Sequence, residues 1–183
     1  MEKYYNNTEN AQPNKTIIYF INKINPIPGN AIELGCGAGR DTKYLIKKGW
    51  NVLAIDKNDV EERISKRLSQ EELKRFRFSQ QSFEDVVLEK CELIVSNFSL
   101  SFCDKDKFNE LWDKIQNSII SNGYFVGNFF GVNDEWNTAG TRRTFFTKKQ
   151  VEELFDNFEI IFFEEFDRDG TTRWGEGKAL AFL

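Results

Sequence analysis

A short apolar run followed by a glycine-rich turn constrains the fold of this chain more than any other feature. The run 31–34 (Ala-Ile-Glu-Leu) is typical of a buried strand, and the turn Gly35-Cys36-Gly37-Ala38-Gly39 follows it at once. Because glycine has no Cβ, such a turn bends sharply and lets a ligand approach the backbone closely. The pattern predicts a strand–turn–helix unit with a nucleotide-like ligand at the carboxyl end of the strand.

Apolar runs alternate with amphipathic segments along the rest of the chain, a pattern that favours a parallel sheet covered by helices. We predict helices at 14–24, from the turn to about 48, within 59–75, at 105–121 and after 147, and strands at 31–34, 52–55, 76–78, 93–95, 124–130, 158–163 and 178–183. Ser69 with Glu72, and Thr147 with Gln150, have the spacing of capping boxes. The expected fold is α/β: a doubly wound, seven-stranded, mostly parallel sheet with helices on both faces and a C-terminal antiparallel hairpin.

The length of 183 residues is that of one domain with a sizeable core. We find no internal repeat and no low-complexity linker, so we expect a single domain over 1–183. Residues 1–25 are predicted to form an N-terminal helical cap segment. Residues 131–146 form a candidate active-site loop, because a loop of that length in a compact domain is usually functional.

Several classes of site are excluded by composition. The chain has no histidine, and its three cysteines (Cys36, Cys91 and Cys103) have no CxxC spacing, so we expect no metal site, no Ser-His-Asp triad and no Cys-His pair. The net charge of −4 weighs against a nucleic-acid partner. With no leader pattern and no apolar run of about 18 residues, we expect a cytoplasmic protein with reduced thiols, no membrane contact and a monomeric state.

The charges beside the turn favour a cationic ligand over a pyrophosphate. Position 40 is arginine, so the third glycine of a GxGxxG dinucleotide motif is missing, and Asp41 then places a negative charge at the start of the helix. A cationic ligand suits Glu33 and Asp41, which favours S-adenosylmethionine over NAD. Asp56 ends the second strand, where a carboxylate accepts hydrogen bonds from ribose hydroxyls. The alternative is that Glu33 and Asp56 are helix-capping or surface acids.

The stretch AIELGCGAGRDTKYLIKKGWNVLAID resembles the first two motifs of the class I S-adenosylmethionine-dependent methyltransferases. Its Gly-Arg-Asp continuation is similar to the small bacterial group that includes the tellurite-resistance methyltransferases. The resemblance covers nearly the whole chain and is specific in the cofactor half. It implies a set of cofactor-binding residues: Glu33, Gly35, Cys36, Gly37 and Asp41 around the methionine part, Asp56 and Lys57 at the ribose, Ser82 and Phe83 at the adenine, and Asn97, Phe98 and Ser99 where the methyl group leaves. The alternatives are an N-cap role for Ser82 and core packing for Phe98.

The resemblance implies a methyltransferase whose acceptor the sequence does not name. Methyl transfer needs no dedicated base when the acceptor is a good nucleophile, so no catalytic residue is assigned. The absence of histidine departs from the tellurite-resistance relatives, in which a histidine is implicated at the active site, and this argues against tellurite or selenite. No Asn/Asp-Pro-Pro-aromatic motif follows the fourth strand, which argues against a nucleic-acid base.

We therefore expect a small-molecule acceptor. The substrate-facing candidates are Tyr5, Trp136 and Arg142; a plain surface loop is the alternative for the last two. Arg173 and Trp174 between the terminal strands allow the same two interpretations. Two other functions remain open: a catalytically silent S-adenosylmethionine-binding partner or regulatory module, and a methyltransferase that acts on a protein. An NAD-dependent oxidoreductase is disfavoured by the missing third glycine and by Asp41.

Overall fold

The structure is a computed structural model that describes residues 2–165 and the backbone of three short strands beyond them. Its strands are β1 (Asn30–Leu34), β2 (Asn51–Asp56), β3 (Phe76–Gln80), β4 (Cys91–Ser96), β5 (Ile119–Phe129), β6 (Phe163–Glu164), β7 (Thr171–Thr172), β8 (Gly175–Glu176) and β9 (Leu180–Phe182). Its α-helices are α1 (Glu2–Thr8), α2 (Lys15–Tyr19), α3 (Arg40–Lys47), α4 (Glu61–Ser65), α5 (Gln70–Leu73), α6 (Phe108–Ser118) and α7 (Lys148–Leu154). Arg173 and Trp174 lie outside the described residues.

The main sheet has the strand order β3-β2-β1-β4-β5-β9-β6. The first five of these strands are parallel, which confirms the predicted α/β class with a parallel sheet and helices. Strand β9 pairs antiparallel with β5, and β6 pairs antiparallel with β9. The predicted hairpin of two consecutive strands is wrong, because β7 and β8 lie between β6 and β9 in the chain and form a separate two-stranded sheet. The ends of the predicted strand 178–183 lie outside the described residues.

Side-chain caps mark where three of the α-helices begin. The Asn14 side chain accepts the backbone N–H of Thr16 and starts α2, which continues directly into a π-helix over Phe20–Ile24. Both predicted capping boxes are present, at the start of α5 and of α7. The predicted helix 105–121 ends earlier, at Ser118, because β5 begins at the next residue. Helix α1 lies within residues 1–25, the predicted helical cap segment, although no separate helix was predicted before residue 14. None of the helices in the described part of the chain is long and apolar enough to cross a membrane.

Apolar side chains cover both faces of the sheet, as the alternation of side chains along a strand requires. Ile32 and Leu34 of β1 pack with residues of α6 and α7 on one face, and Ala31 packs with residues of α2, α3 and α4 on the other. By this alternation Glu33 lies on the face of Ala31. A buried carboxylate therefore stands at the carboxyl end of β1, on the face that carries α3.

Candidate functional site

The turn after β1 adopts a backbone that glycine favours. Gly35, Gly37 and Gly39 have φ of +72°, +53° and +71°, values in the left-handed region where a side chain is strained. A Cβ on Gly35 would overlap the Ser99 side chain, and one on Gly39 would lie 2.5 Å from Ile64 Cγ1. Two of the three glycines are thus required by packing against neighbouring elements as well as by φ.

Asp56, at the carboxyl end of β2, holds the glycine turn in place. Its Oδ2 accepts the backbone N–H of Gly37 at 2.9 Å, and its Oδ1 accepts the backbone N–H of Asn58 at 2.9 Å. The Asn58 side-chain amide also donates to the Tyr5 hydroxyl at 2.9 Å. Burial and the negative charge of Asp56 raise the pKa of Tyr5 to about 12. The structure therefore places Tyr5 next to the predicted ribose-binding carboxylate.

Two arginines of the segment that follows β2 form hydrogen bonds that hold helix α1 against the glycine turn. Arg63 donates to Asn6 Oδ1 at 3.0 Å and to Glu9 Oε2 at 2.5 Å. Arg67 donates to the carbonyl oxygens of Glu9 and Ala38, and so joins α1 to the glycine turn. Sequence analysis missed both arginines, because nothing in their i, i+4 spacing distinguishes them from an ordinary solvated helix face.

Glu33 is a buried carboxyl group in an acidic surrounding. It is 5% exposed and accepts the hydroxyl hydrogen of Thr42. Burial, followed by the negative charge of Asp41, raises the pKa of Glu33, while Arg40 acts in the opposite direction and Asp56 adds to the rise. The charges of Asp41 and Asp56 therefore act on the carboxyl group of Glu33, and Arg40 is the arginine that counteracts them.

Asp41 connects three segments of the chain at the start of α3. It is 2% exposed; its Oδ1 accepts the backbone N–H of Asn14 at 2.8 Å, and its Oδ2 accepts the side-chain amide of Asn97 at 2.9 Å. Arg40 Nε donates to Oδ1 at 3.0 Å. The Asn97 Oδ1 in turn accepts the hydroxyl hydrogen of Thr16 at 2.7 Å. Asp41 and Asn97 are therefore brought together in a network that also includes Thr16 of α2.

The segment after β4 presents a strained aromatic residue. Phe98 has φ of +55° and is 41% exposed, which does not fit the core-packing alternative. Its backbone N–H donates to Asn128 Oδ1 at 2.5 Å, and Ser99 Oγ donates to the Leu34 carbonyl at 2.6 Å. A non-glycine residue with this φ costs of order 1–3 kcal/mol and requires support from its neighbours; these two hydrogen bonds supply that support.

Asn128 is a functional candidate that sequence analysis missed. It is 1% exposed in β5, and within the described residues its side-chain N–H₂ has no hydrogen-bond acceptor. A polar residue inside an otherwise apolar strand was the signal that could have identified it.

The predicted adenine-side residues lie next to the turn. Phe83 is half-buried against the core, and its Cζ would be 3.4 Å from a Cβ on Gly35. Ser82 Oγ accepts the backbone N–H of Asp85 at 3.4 Å and donates to the Asp85 carboxylate at 2.9 Å. Ser82 thus makes the capping contacts of its alternative role. Lys57 is exposed directly after β2.

Cys36 occupies the turn between two of the glycines. It is 6% exposed, and burial followed by the negative charges of Glu33 and Asp56 raises its pKa. Because a reactive thiol needs a lowered pKa and access to solvent, the side chain of Cys36 is not suited to be a nucleophile.

Aromatic rings extend from Phe98 into the loop 131–146. We name Phe98, Phe102, Phe130 and Trp136 the aromatic cluster. The ring centroids of Phe98 and Phe130 are 6.3 Å apart, those of Phe130 and Trp136 are 5.5 Å apart, and those of Phe102 and Trp136 are 5.8 Å apart. These distances are typical of interacting aromatic pairs.

Two adjacent arginines of the same loop have different surroundings. Arg142 is 69% exposed and forms ion pairs with Asp104 and Asp106. Arg143 lies over the rings of Trp136 and Phe102, with its guanidinium carbon 4.5 and 4.9 Å from their centroids. A groove of about 600 Å³ is lined by both arginines and Trp136. Trp136 therefore contacts Arg143, a residue that was not among the predicted candidates. The predicted candidate Arg142 instead forms surface ion pairs.

The residues around the turn fit a cationic nucleoside. Asp41 and Asp56 supply a negative field, and their repulsion adds to burial, the larger cause, in raising the pKa of Glu33. A pyrophosphate at the start of α3 would face the buried Asp41, whereas a sulfonium or an ammonium group would relieve that repulsion. The carboxyl ends of β1, β2 and β4 are where ligands bind in sheets of this type.

The comparisons with known proteins agree with this fold. The sequence model of a family described as "Tellurite resistance protein TehB" matches residues 1–169. TehB from Haemophilus influenzae is structurally similar, with a TM-score of 0.67 and 18% identity over 90% of this chain and 63% of that chain. A TehB-like SAM-dependent methyltransferase from Corynebacterium glutamicum has a TM-score of 0.64 and 17% identity over 100% of this chain and 94% of that chain.

A third similar structure is that of the Burkholderia thailandensis 1,6-didemethyltoxoflavin-N1-methyltransferase, with 1,6-didemethyltoxoflavin and S-adenosylhomocysteine bound. Its TM-score is 0.63 at 19% identity, over 92% of this chain and 76% of that chain. This chain spans less than two thirds of the H. influenzae TehB chain. No curated protein sequence matches it significantly.

Proposed function

This chain belongs to the tellurite resistance protein TehB family, and from that premise we propose that it transfers a methyl group from S-adenosylmethionine to a small-molecule acceptor. The proposal covers the cofactor, the reaction and the class of acceptor. It also includes a cytoplasmic location, a monomeric state and the absence of nucleic-acid and membrane partners. The three buried, unpaired cysteines support a reducing compartment.

The acidic surrounding of the glycine turn is the observation that carries the proposal. Two carboxyl groups, Glu33 and Asp41, are almost fully buried beside a turn that opens at the carboxyl ends of the strands. Burying two acids together costs free energy unless a cation compensates them, and Arg40 reaches only Asp41 by hydrogen bonds. The methionine part of S-adenosylmethionine brings two positive groups to such a place.

Each site residue has a role in this proposal. Asp56, held by the Gly37 N–H, orients the ribose, and Phe83 lies at the adenine. When bound, S-adenosylmethionine supplies an already activated methyl group, so the protein contributes position and exclusion of water. Helix α1 and the segment after β4 exclude water from the turn. The side chain of Asn97 joins the segment after β4 to α3 through its hydrogen bond to Asp41.

The acceptor side supports a small molecule. Loop 131–146, together with Phe102 of the aromatic cluster, lines a groove of about 600 Å³, a size suited to a small ligand. The B. thailandensis neighbour carries a small acceptor, as its description states. A protein acceptor and a catalytically silent cofactor-binding module are the alternatives. Tellurite is disfavoured as the acceptor because the chain has no histidine.

The decisive experiment is a set of calorimetric titrations with S-adenosylmethionine, S-adenosylhomocysteine and NAD. We expect the first two to bind and NAD to give no heat; tight NAD binding without a response to the other two would refute the proposal. A second experiment adds methyl-labelled cofactor and a metabolite extract to the protein. A labelled small molecule is the expected product, a labelled protein would favour the first alternative, and good cofactor binding without any labelling would favour the silent module.

A further inference from the structure

The acceptor groove contains a cation that is stacked on aromatic rings next to exposed apolar surface. From this arrangement, and resting on the proposed function, we propose that the methyl acceptor is a planar aromatic molecule with an anionic group. Its ring packs on the aromatic cluster, and its anionic group pairs with Arg143.

The aromatic cluster is too exposed to be explained by packing alone. Phe98 and Phe102 are 41% and 44% exposed, although both contact the buried Phe130. Exposed aromatic side chains that adjoin one another mark binding surfaces more often than isolated ones do. Phe98 and Phe102 are tilted and edge-to-face to Phe130, respectively, so each offers its own exposed ring on which another planar ring can pack.

Arg143 supplies a positive charge beside the aromatic cluster. Its half-buried guanidinium lies over Trp136 and Phe102, and no carboxylate of the described residues is within salt-bridge distance of it. Burial raises the pKa of Asp134 and the charge of Arg143 opposes that rise, but the Asp134 carboxylate already accepts the backbone N–H of Trp136 at 2.8 Å. Stacking fixes the plane of the guanidinium and leaves its N–H edge for a carboxylate or a similar anion.

Two of the acids that line the groove are engaged by neighbouring groups, and a third, Glu135, is exposed at its surface. Asp104 binds Arg142, and Glu84 Oε1 accepts the backbone N–H of Asp104 at 3.1 Å. Arg142 is thus paired, whereas Arg143 has no carboxylate partner among the described residues and lies at one end of the aromatic rings.

The position of Phe98 links this surface to the site of transfer. Phe98 directly follows Asn97, which is bonded to the buried Asp41, and its strained backbone is held by Asn128. The rings then run from Phe98 through Phe130 to Trp136 and end at Arg143. An acceptor ring on Phe98 lies next to the predicted methyl-transfer segment, while its anionic group is held away from it.

The test is a calorimetric comparison of three probes against the protein saturated with S-adenosylhomocysteine. The probes are 2-naphthoate, the uncharged 2-naphthamide and the non-aromatic cyclohexanecarboxylate. We expect naphthoate to bind about tenfold more tightly than either of the others, because a hydrogen-bonded ion pair and ring stacking are each worth about that factor. Arg143→Gln should abolish the preference for naphthoate over naphthamide. Arg142→Gln, which changes the adjacent paired arginine, and Arg77→Gln, which changes a distant exposed ion pair with Glu89, should retain it.

Three results would overturn the inference: equal binding of naphthoate and naphthamide to the unmodified protein, no naphthoate binding at all, or loss of the preference in Arg142→Gln instead of Arg143→Gln. The first titration, of S-adenosylhomocysteine alone, separates this inference from the proposed function. If S-adenosylhomocysteine binds and naphthoate shows no preference, only the acceptor class is wrong. If S-adenosylhomocysteine does not bind, the proposed function fails, and the same probes titrated without it still decide whether Arg143 binds an aromatic anion.

Discussion

Replacing Glu33 by glutamine should stabilise the free protein while weakening its binding of S-adenosylmethionine. Burial and the charge of Asp41 raise the pKa of Glu33 above its ordinary value. Between the ordinary and the raised pKa, the folded protein retains a proton that the unfolded chain has released. Stability is therefore lost as the pH rises through this window. Each unit of pKa shift is worth about 1.4 kcal/mol, so we expect Glu33→Gln to increase the free energy of unfolding by about 1–3 kcal/mol near pH 8.

The hydrogen bond that Thr42 donates survives this change, because the glutamine carbonyl oxygen accepts it in the same way as the carboxyl oxygen. Urea denaturation followed by tryptophan fluorescence at about pH 5 and about pH 8 measures the effect. The two proteins should differ little at the lower pH and most at the higher one. Asp113→Asn, on the exposed face of α6, changes the net charge equally and should keep the pH dependence of the unmodified protein. A Glu33→Gln protein that is less stable than the unmodified one at pH 8 would refute the electrostatic reasoning.

Two further substitutions test the turn itself. Asp56→Asn keeps the side-chain shape but loses an acceptor oxygen toward either the turn or the ribose. We expect calorimetry to show a loss of about 10–100-fold in S-adenosylmethionine affinity. An unchanged affinity would show that the ribose lies elsewhere. Gly35→Ala combines a positive φ with an overlap against Ser99 and should cost about 2–4 kcal/mol in thermal unfolding. Gly140→Ala has a φ of +83° but nothing within 4 Å of its Cβ, so it should cost only about 1–2 kcal/mol; equal costs would show that the contact with Ser99 is irrelevant.

The sequence predicts the parallel part of the sheet well because burial and turn chemistry act locally there. The continuous apolar runs of β1, β2 and β4 are typical of strands that are covered on both faces, and the glycine turn and the acid that follows β2 mark the ligand edge. The carboxyl-terminal strands are predicted less well, because β6 is two residues long and its pairing with β9 depends on a segment far along the chain.

The site shows the same division between local and distant signals. Glu33 and Asp56 are identified by their place directly at strand ends. Arg143 could not be distinguished from Arg142 by sequence, because their difference arises from partners some 40 residues away in Asp104 and in the ring of Phe102. Asn128 is a comparable case, because its side chain accepts the backbone N–H of Phe98, in the segment after the neighbouring strand β4. Contacts between segments, rather than residue type, decide which of two similar side chains serves the site.

The acidic surrounding of the turn should affect the affinity for S-adenosylmethionine and the affinity for its product differently. A negative field at the sulfonium stabilises the charged cofactor more than the neutral thioether that remains after transfer, and a group that favours the ground state lowers the rate of the chemical step. Under the proposed function, we expect Glu33 to contribute to selection of the cofactor and release of the product rather than to acceleration of transfer. Its replacement by glutamine should weaken S-adenosylmethionine more than S-adenosylhomocysteine, since only the first ligand carries the sulfonium charge. Calorimetry of both ligands with both proteins measures this difference, and an equal loss for the two would place Glu33 at the ammonium group, which both ligands share.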